Sequence, residues 1–130
     1  VLPGLVALKK GRIVTVISDA GRVGEARLTA YAAAKAGAAG FVRSIAREAG
    51  RYGITSNAIS LSTLEPALEE PGKSEFLSSD RAKAHVERYV IRRFGQPDDV
   101  AHMALFLCSD AASWITGQTY PVNGGYTFAV

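Results

Sequence analysis

The chain has 130 residues, 48% of them hydrophobic and 21% charged, with a formal net charge of +3. That balance excludes a disordered or collagen-like polymer, and no uncharged apolar run is long enough to span a bilayer. A single Cys excludes an internal disulfide framework and fits a reducing compartment, and the small mixed-sign charge does not by itself predict nucleic-acid or membrane binding. Leu2, Leu5, Val6 and Leu8 are spaced for one face of a short helix that closes at Lys9, Lys10 and Gly11. Arg12–Ser18 is β-branched and nearly continuously apolar, the pattern of a buried parallel strand. Residues 19–30, with Gly21, Gly24 and several charges, predict a loop. A long helix is expected from about Tyr31 to Ala49, with Ala34, Ala38, Phe41, Ile45 and Ala49 on one face and Gly50 as its stop.

Ile54–Ser60 predicts a second strand. Residues 61–75, with Pro66, Pro71 and Gly72, predict an irregular segment. Ser79 or Asp80 can cap a helix reaching about Val90, and Asp98 can cap another over Val100–Leu107. Gln118–Val122 reads as a last strand, and Pro121 within it argues for a sheet edge or a strand end. Strands alternating with helices at these distances predict an α/β domain with a parallel sheet. No signal peptide is visible at the start, where the sequence opens on Val1.

The chemistry concentrates at Ser18, Tyr31 and Lys35. Tyr31 and Lys35 are four apart at the start of the long helix, so both project from one face. Ser18 ends the first strand, where open α/β sheets place their ligands. A hydroxyl, a phenol and an ammonium converging there suit a reaction at a carbonyl. A phenol's ordinary pKa near 10 must fall for acid–base work near neutrality, and a neighbouring cation favours the phenolate. None of these groups carries a hydride, so redox chemistry there requires a nicotinamide cofactor. A Tyr-x-x-x-Lys match alone is weak; its place after a Ser-ended strand, thirteen residues downstream, gives it weight.

Around these residues the chain resembles the classical branch of the short-chain dehydrogenase/reductase family. The resemblance rests on Gly11-Arg-Ile-Val-Thr-Val-Ile-Ser18, Tyr31-Ala-Ala-Ala-Lys-Ala-Gly37 and Gly53-Ile-Thr-Ser-Asn-Ala-Ile-Ser60. It continues through Arg93-Phe-Gly-Gln-Pro-Asp-Asp-Val-Ala101, Phe106-Leu-Cys-Ser-Asp110 and Ile115-Thr-Gly-Gln-Thr-Tyr-Pro-Val-Asn-Gly-Gly125. It implies the C-terminal half of a Rossmann-like, doubly wound parallel sheet with flanking helices over residues 1–130. Tyr31 would be the catalytic acid/base and Ser18 the donor to the substrate oxygen. Lys35 would lower the phenol's pKa and bind the nicotinamide ribose. Contacts to NAD or NADP are implied at Tyr31, Lys35, Leu61, Thr63 and Leu64, with residues 63–92 as a substrate lid. The implied protein is a cytoplasmic, 3-oxoacyl-reductase-like enzyme, a homodimer or homotetramer acting on a small carbonyl or alcohol, with no nucleic-acid or membrane partner.

The sequence also departs from that family. The Gly-rich turn that cradles the cofactor pyrophosphate has no counterpart in these residues, so the isolated chain is expected to be inactive, and the residue that reads the adenosine ribose has none either, so NAD and NADP are not distinguished. Leu61-Ser62 stands where the family usually has Pro-Gly, and Pro66 where a cofactor-contacting Thr often follows. These changes leave a second expectation open, a non-catalytic relative that binds or stabilises an oligomer. Elsewhere plainer roles are expected: a buried structural amide at Asn57, surface or packing histidines at His85 and His102, a buried thiol at Cys108 and a core indole at Trp114. Gly37 and Gly40, among Ala33, Ala36 and Ala39, allow either close packing on the sheet or a subunit interface. Lys9, Lys10 and Arg51 read as a solvated basic face or, in the family's carrier-protein reductases, a docking patch.

Overall fold

A computed structural model describes residues 1–65 and 72–128. The elements run α1 (Leu2–Leu8), β1 (Gly11–Ser18), α2 (Ala20–Val23), α3 (Thr29–Ala49) and, after a 3-10 turn at Gly50–Tyr52, β2 (Ile54–Leu61). Then come α4 (Lys73–Ser78), α5 (Asp80–Val86), α6 (Pro97–Cys108), a second 3-10 turn at Asp110–Ala112, and β3 (Thr119–Val122). The strands form a parallel sheet in the order β1-β2-β3. This is the expected α/β architecture, with β2 central and Pro121 on an edge strand.

Both faces of the sheet are covered because adjacent residues of β2 point to opposite sides. Ala58 packs with Ile17 and with Val42 of α3, whereas Ile59 packs with Leu107 of α6 and with Ala112. On α6 the stripe Val100, Met103, Ala104 and Leu107 has helical spacing and meets the sheet. On α3 the buried stripe is Val42, Ala46 and Ala49, with Ala38 and Ala39 alongside. The expected stripe is thus displaced: Phe41 is 54% exposed and Val42 takes the core position. Asn57 is fully buried as expected, donating to the Ile115 carbonyl at 2.8 Å and accepting from the Gln118 amide at 3.1 Å.

Local differences from the sequence expectations have local causes. The expected loop over residues 19–30 contains α2, whose first turn follows the buried Asp19. The long helix starts two residues earlier than expected, at Thr29. The segment expected to be irregular through residue 75 already turns helical at Lys73, while Pro66 and Pro71 lie outside the described residues. Ser79 caps α5 by accepting from the Ala82 amide at 3.2 Å. That helix stops at Val86, short of Val90, because Tyr89 turns into the interior and is 2% exposed. The N-cap of α6 is Gln96, not Asp98; Asp99 reaches back to the Gln96 amide at 2.7 Å, and Pro97 takes the first helical position.

Candidate active site

The strand register builds the site. Ser18 lies opposite Leu61, and Leu61 opposite Val122, so the C-terminal ends of the strands are level. The Asp19 amide extends the pairing by donating to the Leu61 carbonyl at 2.9 Å. Beyond these ends opens a cleft of about 370 Å³, with Ser18, Tyr31, Leu61 and Thr63 in its wall. Open α/β sheets bind ligands in this place.

Helix α3 delivers Tyr31 and Lys35 to the site one turn apart. Tyr31 is 45% exposed and lines the cleft. The Lys35 Nζ donates to the Val16 carbonyl at 3.2 Å and lies 5.6 Å from the Tyr31 ring centroid. One carbonyl of β1 therefore anchors the ammonium beside the phenol, leaving N–H donors for a ligand. Gly21 lets α2 approach α3 at this point: a Cβ there would stand 2.8 Å from the Lys35 Cβ and the Ala36 nitrogen. The Ser18 Oγ accepts from the Ala20 amide at 3.2 Å, which leaves its own proton for a ligand oxygen.

Asp19, which was not singled out in the sequence, ties the strand ends together from below. It is 2% exposed and accepts from the Ser60 hydroxyl at 2.7 Å, the Asn123 amide at 2.6 Å and the Arg22 guanidinium at 3.2 Å. Asn123 also donates to the Thr127 carbonyl at 3.0 Å, holding the C-terminal turn so that Tyr126 joins the cleft wall. Glu25 accepts from the Tyr126 hydroxyl at 3.2 Å. Burial and the Glu25 carboxylate raise the pKa of the Tyr126 phenol. An Asp immediately after an apolar strand was the one sequence signal for this hub.

The loop after β2 is held by its polar side chains. Ser62 Oγ lies 2.6 Å from the Tyr89 hydroxyl, which also accepts from the Thr63 amide at 3.1 Å. Thr63 Oγ1 lies 3.0 Å from His85 Nε2. Leu64 is placed differently from Leu61 and Thr63: it bridges to Gly95 and lines a neighbouring cavity of about 310 Å³. Glu65 pairs with Lys73 at 2.9 Å and with Gln96, and the Lys73 ammonium lowers its pKa first of all. Pro66 and the rest of the expected lid over residues 66–71 fall outside the described residues.

Other expectations are corrected. Cys108 is exposed, because it ends α6 on the side away from Leu107. Trp114 is 98% exposed and takes no part in the core of the described residues, since the turn after Ala112 carries it outward. His102 is exposed on α6 as expected, while His85 both packs between aromatic rings and lines the cleft. Of the basic residues, Lys10 pairs with Asp110 at 3.1 Å, and Arg51 lies over the Tyr52 ring at 4.8 Å. No helix among the described residues is long and apolar enough to cross a membrane.

Known proteins resemble the chain throughout. The family model described as enoyl-(acyl carrier protein) reductase matches residues 1–127. The 3-oxoacyl-[acyl-carrier-protein] reductase FabG of Vibrio harveyi is 40% identical over 125 residues, which is 96% of this chain and 49% of that protein. The Escherichia coli K12 protein of the same description is 37% identical, with the same coverage. Among solved structures, one described as an NAD(P)-dependent gluconate 5-dehydrogenase from Beutenbergia cavernae, with NADP bound at low occupancy, superposes with a TM-score of 0.84. It is 31% identical and covers 95% of this chain and 49% of its own. The chain spans about half the length of the curated relatives it matches.

Proposed function

The chain belongs to the classical short-chain dehydrogenase/reductase family, and from that membership we propose that its site interconverts a carbonyl compound and a secondary alcohol with NAD or NADP. One observation carries the reading: Ser18 and Tyr31 share a cleft at the strand ends, and Lys35 is anchored one helical turn behind the phenol. The residues fit a nicotinamide riboside. Lys35 keeps donors for ribose hydroxyls although it does not itself line the cleft, whose wall holds Tyr31, Leu61 and Thr63; Leu64 would join from the neighbouring cavity. Bound there, the cofactor supplies the hydride that no side chain can carry.

In the reductive direction Tyr31 donates its phenolic proton to the carbonyl oxygen as that oxygen gains charge. Ser18 donates a hydrogen bond to the same oxygen, its hydroxyl oriented by the Ala20 amide. The Lys35 ammonium stands beside the ring, 5.6 Å from its centroid, as that proton leaves. Of the substrate lid expected over residues 63–92, the described part is attached to the site through Ser62, Thr63, Tyr89 and His85. The side chain at position 62 points to a loop fastened to its lid rather than to a site lost, since Ser62 is bonded to Tyr89.

The test is reduction of a ketone panel by the protein that carries these residues together with a nucleotide-phosphate cradle, followed by reduced-nicotinamide absorbance. Tyr31→Phe should lower turnover about 10²-fold or more, the scale of general acid–base catalysis. Unchanged turnover would overturn the assignment. The 130 residues assayed alone should show none, because no Gly-rich phosphate turn is among them.

A further inference from the structure

Beyond Ser18 and Tyr31 the cleft wall mixes polar and apolar surface, and Glu25, Thr63 and His85 stand in it beside Leu28 and Leu61. His85 is held rigidly. Its ring stacks against Phe94 and Tyr126, with centroids 5.8 and 5.9 Å away. Its Nε2 serves Thr63 Oγ1 at 3.0 Å and the Tyr89 hydroxyl at 3.3 Å, and its Nδ1 has no hydrogen-bond partner among the described residues. Glu25 is half-buried; one carboxylate oxygen accepts from Tyr126, and the other has no partner among the described residues. Burial lowers the pKa of His85 and Arg88 adds to the effect, while the Glu25 carboxylate opposes it; a neutral imidazole carries one donor and one acceptor nitrogen.

Two fixed polar groups with spare hydrogen-bonding capacity therefore face the same cleft as the reacting pair. An aliphatic chain placed against them would remove the second Glu25 oxygen and the His85 Nδ1 from water without giving either a partner. A hydroxyl would satisfy either one, donating to the Glu25 carboxylate or exchanging a bond with the imidazole. Sites built to hydrogen-bond a substrate hydroxyl reject the analogue that lacks it far more strongly than apolar pockets reject a change of size.

We propose that Glu25 and His85 form a polar subsite selecting carbonyl substrates that carry a hydroxyl near the reacting carbon. The subsite rests on the carbonyl–alcohol reading of this cleft and names the substrate class for it.

The probes are a matched pair: cyclohexanone bearing a hydroxyl on the carbon next to the carbonyl, and cyclohexanone bearing a methyl there. Binding to the full chain is followed through the ring resonances of its two histidines, with exposed His102 as the internal reference. The hydroxy ketone should shift His85 and not His102, with an affinity at least roughly tenfold above the methyl ketone. His85→Phe should abolish that preference while methyl-ketone binding persists, and Glu25→Met should reduce it even if the first variant folds poorly. Equal affinities, no His85 response to the hydroxy ketone, or a preference surviving both substitutions would overturn the subsite. Because binding is read without turnover, selective binding to the chain, with no reduction of either ketone by the protein that also carries the nucleotide-phosphate cradle, removes the reductase reading and supports the subsite. Reduction of both ketones with equal kcat/KM does the reverse.

Discussion

Asp19 shows how much of the site rests on a residue that does no chemistry in it. Three donors converge on its buried carboxylate, from β2, α2 and the turn after β3. Asp19→Ala leaves Ser60 and Asn123 without that acceptor, and should cost on the order of 3 kcal/mol in urea unfolding. Asp19→Asn should cost clearly less, since an amide can still accept from Asn123 and donate to the Ser60 hydroxyl. Ser18, Tyr31 and Lys35 were legible in the sequence because their spacing falls on two simple elements. Asp19 was not, because its partners lie 41 and 104 residues away. His85 adds a pH dependence of its own. Its folded pKa lies below the ordinary imidazole value, chiefly through burial. Its contribution is therefore fully present above about pH 6.5 and is lost as the pH falls through the lowered folded value. Between about pH 7 and pH 5 the urea midpoint of the unaltered chain should fall further than that of His85→Phe.

At the scale of elements, the strands, α1 and the start of α5 were legible, and the short helices α2 and α4 were not. β1 is a β-branched run, but it is only partly buried, with Val16 49% exposed, so the expected burial is corrected there. β1 stands at the edge of the sheet among the described residues, whereas β2, with Ile54, Thr55 and Ile59, is buried along most of its length. Helix α2 has only four residues, two of them Gly21 and Val23, so no period or propensity announces it. Contact with α3 holds it, through a close approach that only glycine permits. Gly21→Ala places a methyl 2.8 Å from backbone and side-chain atoms of Lys35 and Ala36. Overpacking of this kind should cost about 1–3 kcal/mol, although the substitution raises helix propensity. Thermal unfolding measures it, and an unchanged or higher Tm would mean that α2 moves away at no cost. The displacement of the α3 stripe from Phe41 to Val42 has a related cause. Apolar residues at positions 41, 42, 45 and 46 fit two adjacent faces, and the sheet selects the face with the smaller side chains.

For the whole molecule, the unsettled question from the sequence was which surface the small residues of α3 serve. Ala38 and Ala39 pack on the core, so part of the run does serve the sheet. Gly37 and Gly40 do not: a Cβ at either meets nothing within 4 Å, and Ala33, Ala36 and Phe41 beside them are exposed. Each glycine inside a 21-residue helix costs about 0.8–1 kcal/mol relative to alanine. No contact among the described residues offsets that cost. A close-packed second helix would offset it, which is the role expected of this face in a homodimer or homotetramer. The two possibilities have opposite signatures. If the face is only solvated, Gly37→Leu should raise the unfolding midpoint through propensity alone and leave the mass in solution unchanged. If α3 packs against its counterpart in a second copy, the same substitution should keep or improve the fold of each chain while sedimentation equilibrium shows the oligomer dissociating. The second outcome is the one expected, because solvation gives no reason for two unfavourable glycines next to an exposed Phe41 on the helix that carries Tyr31 and Lys35.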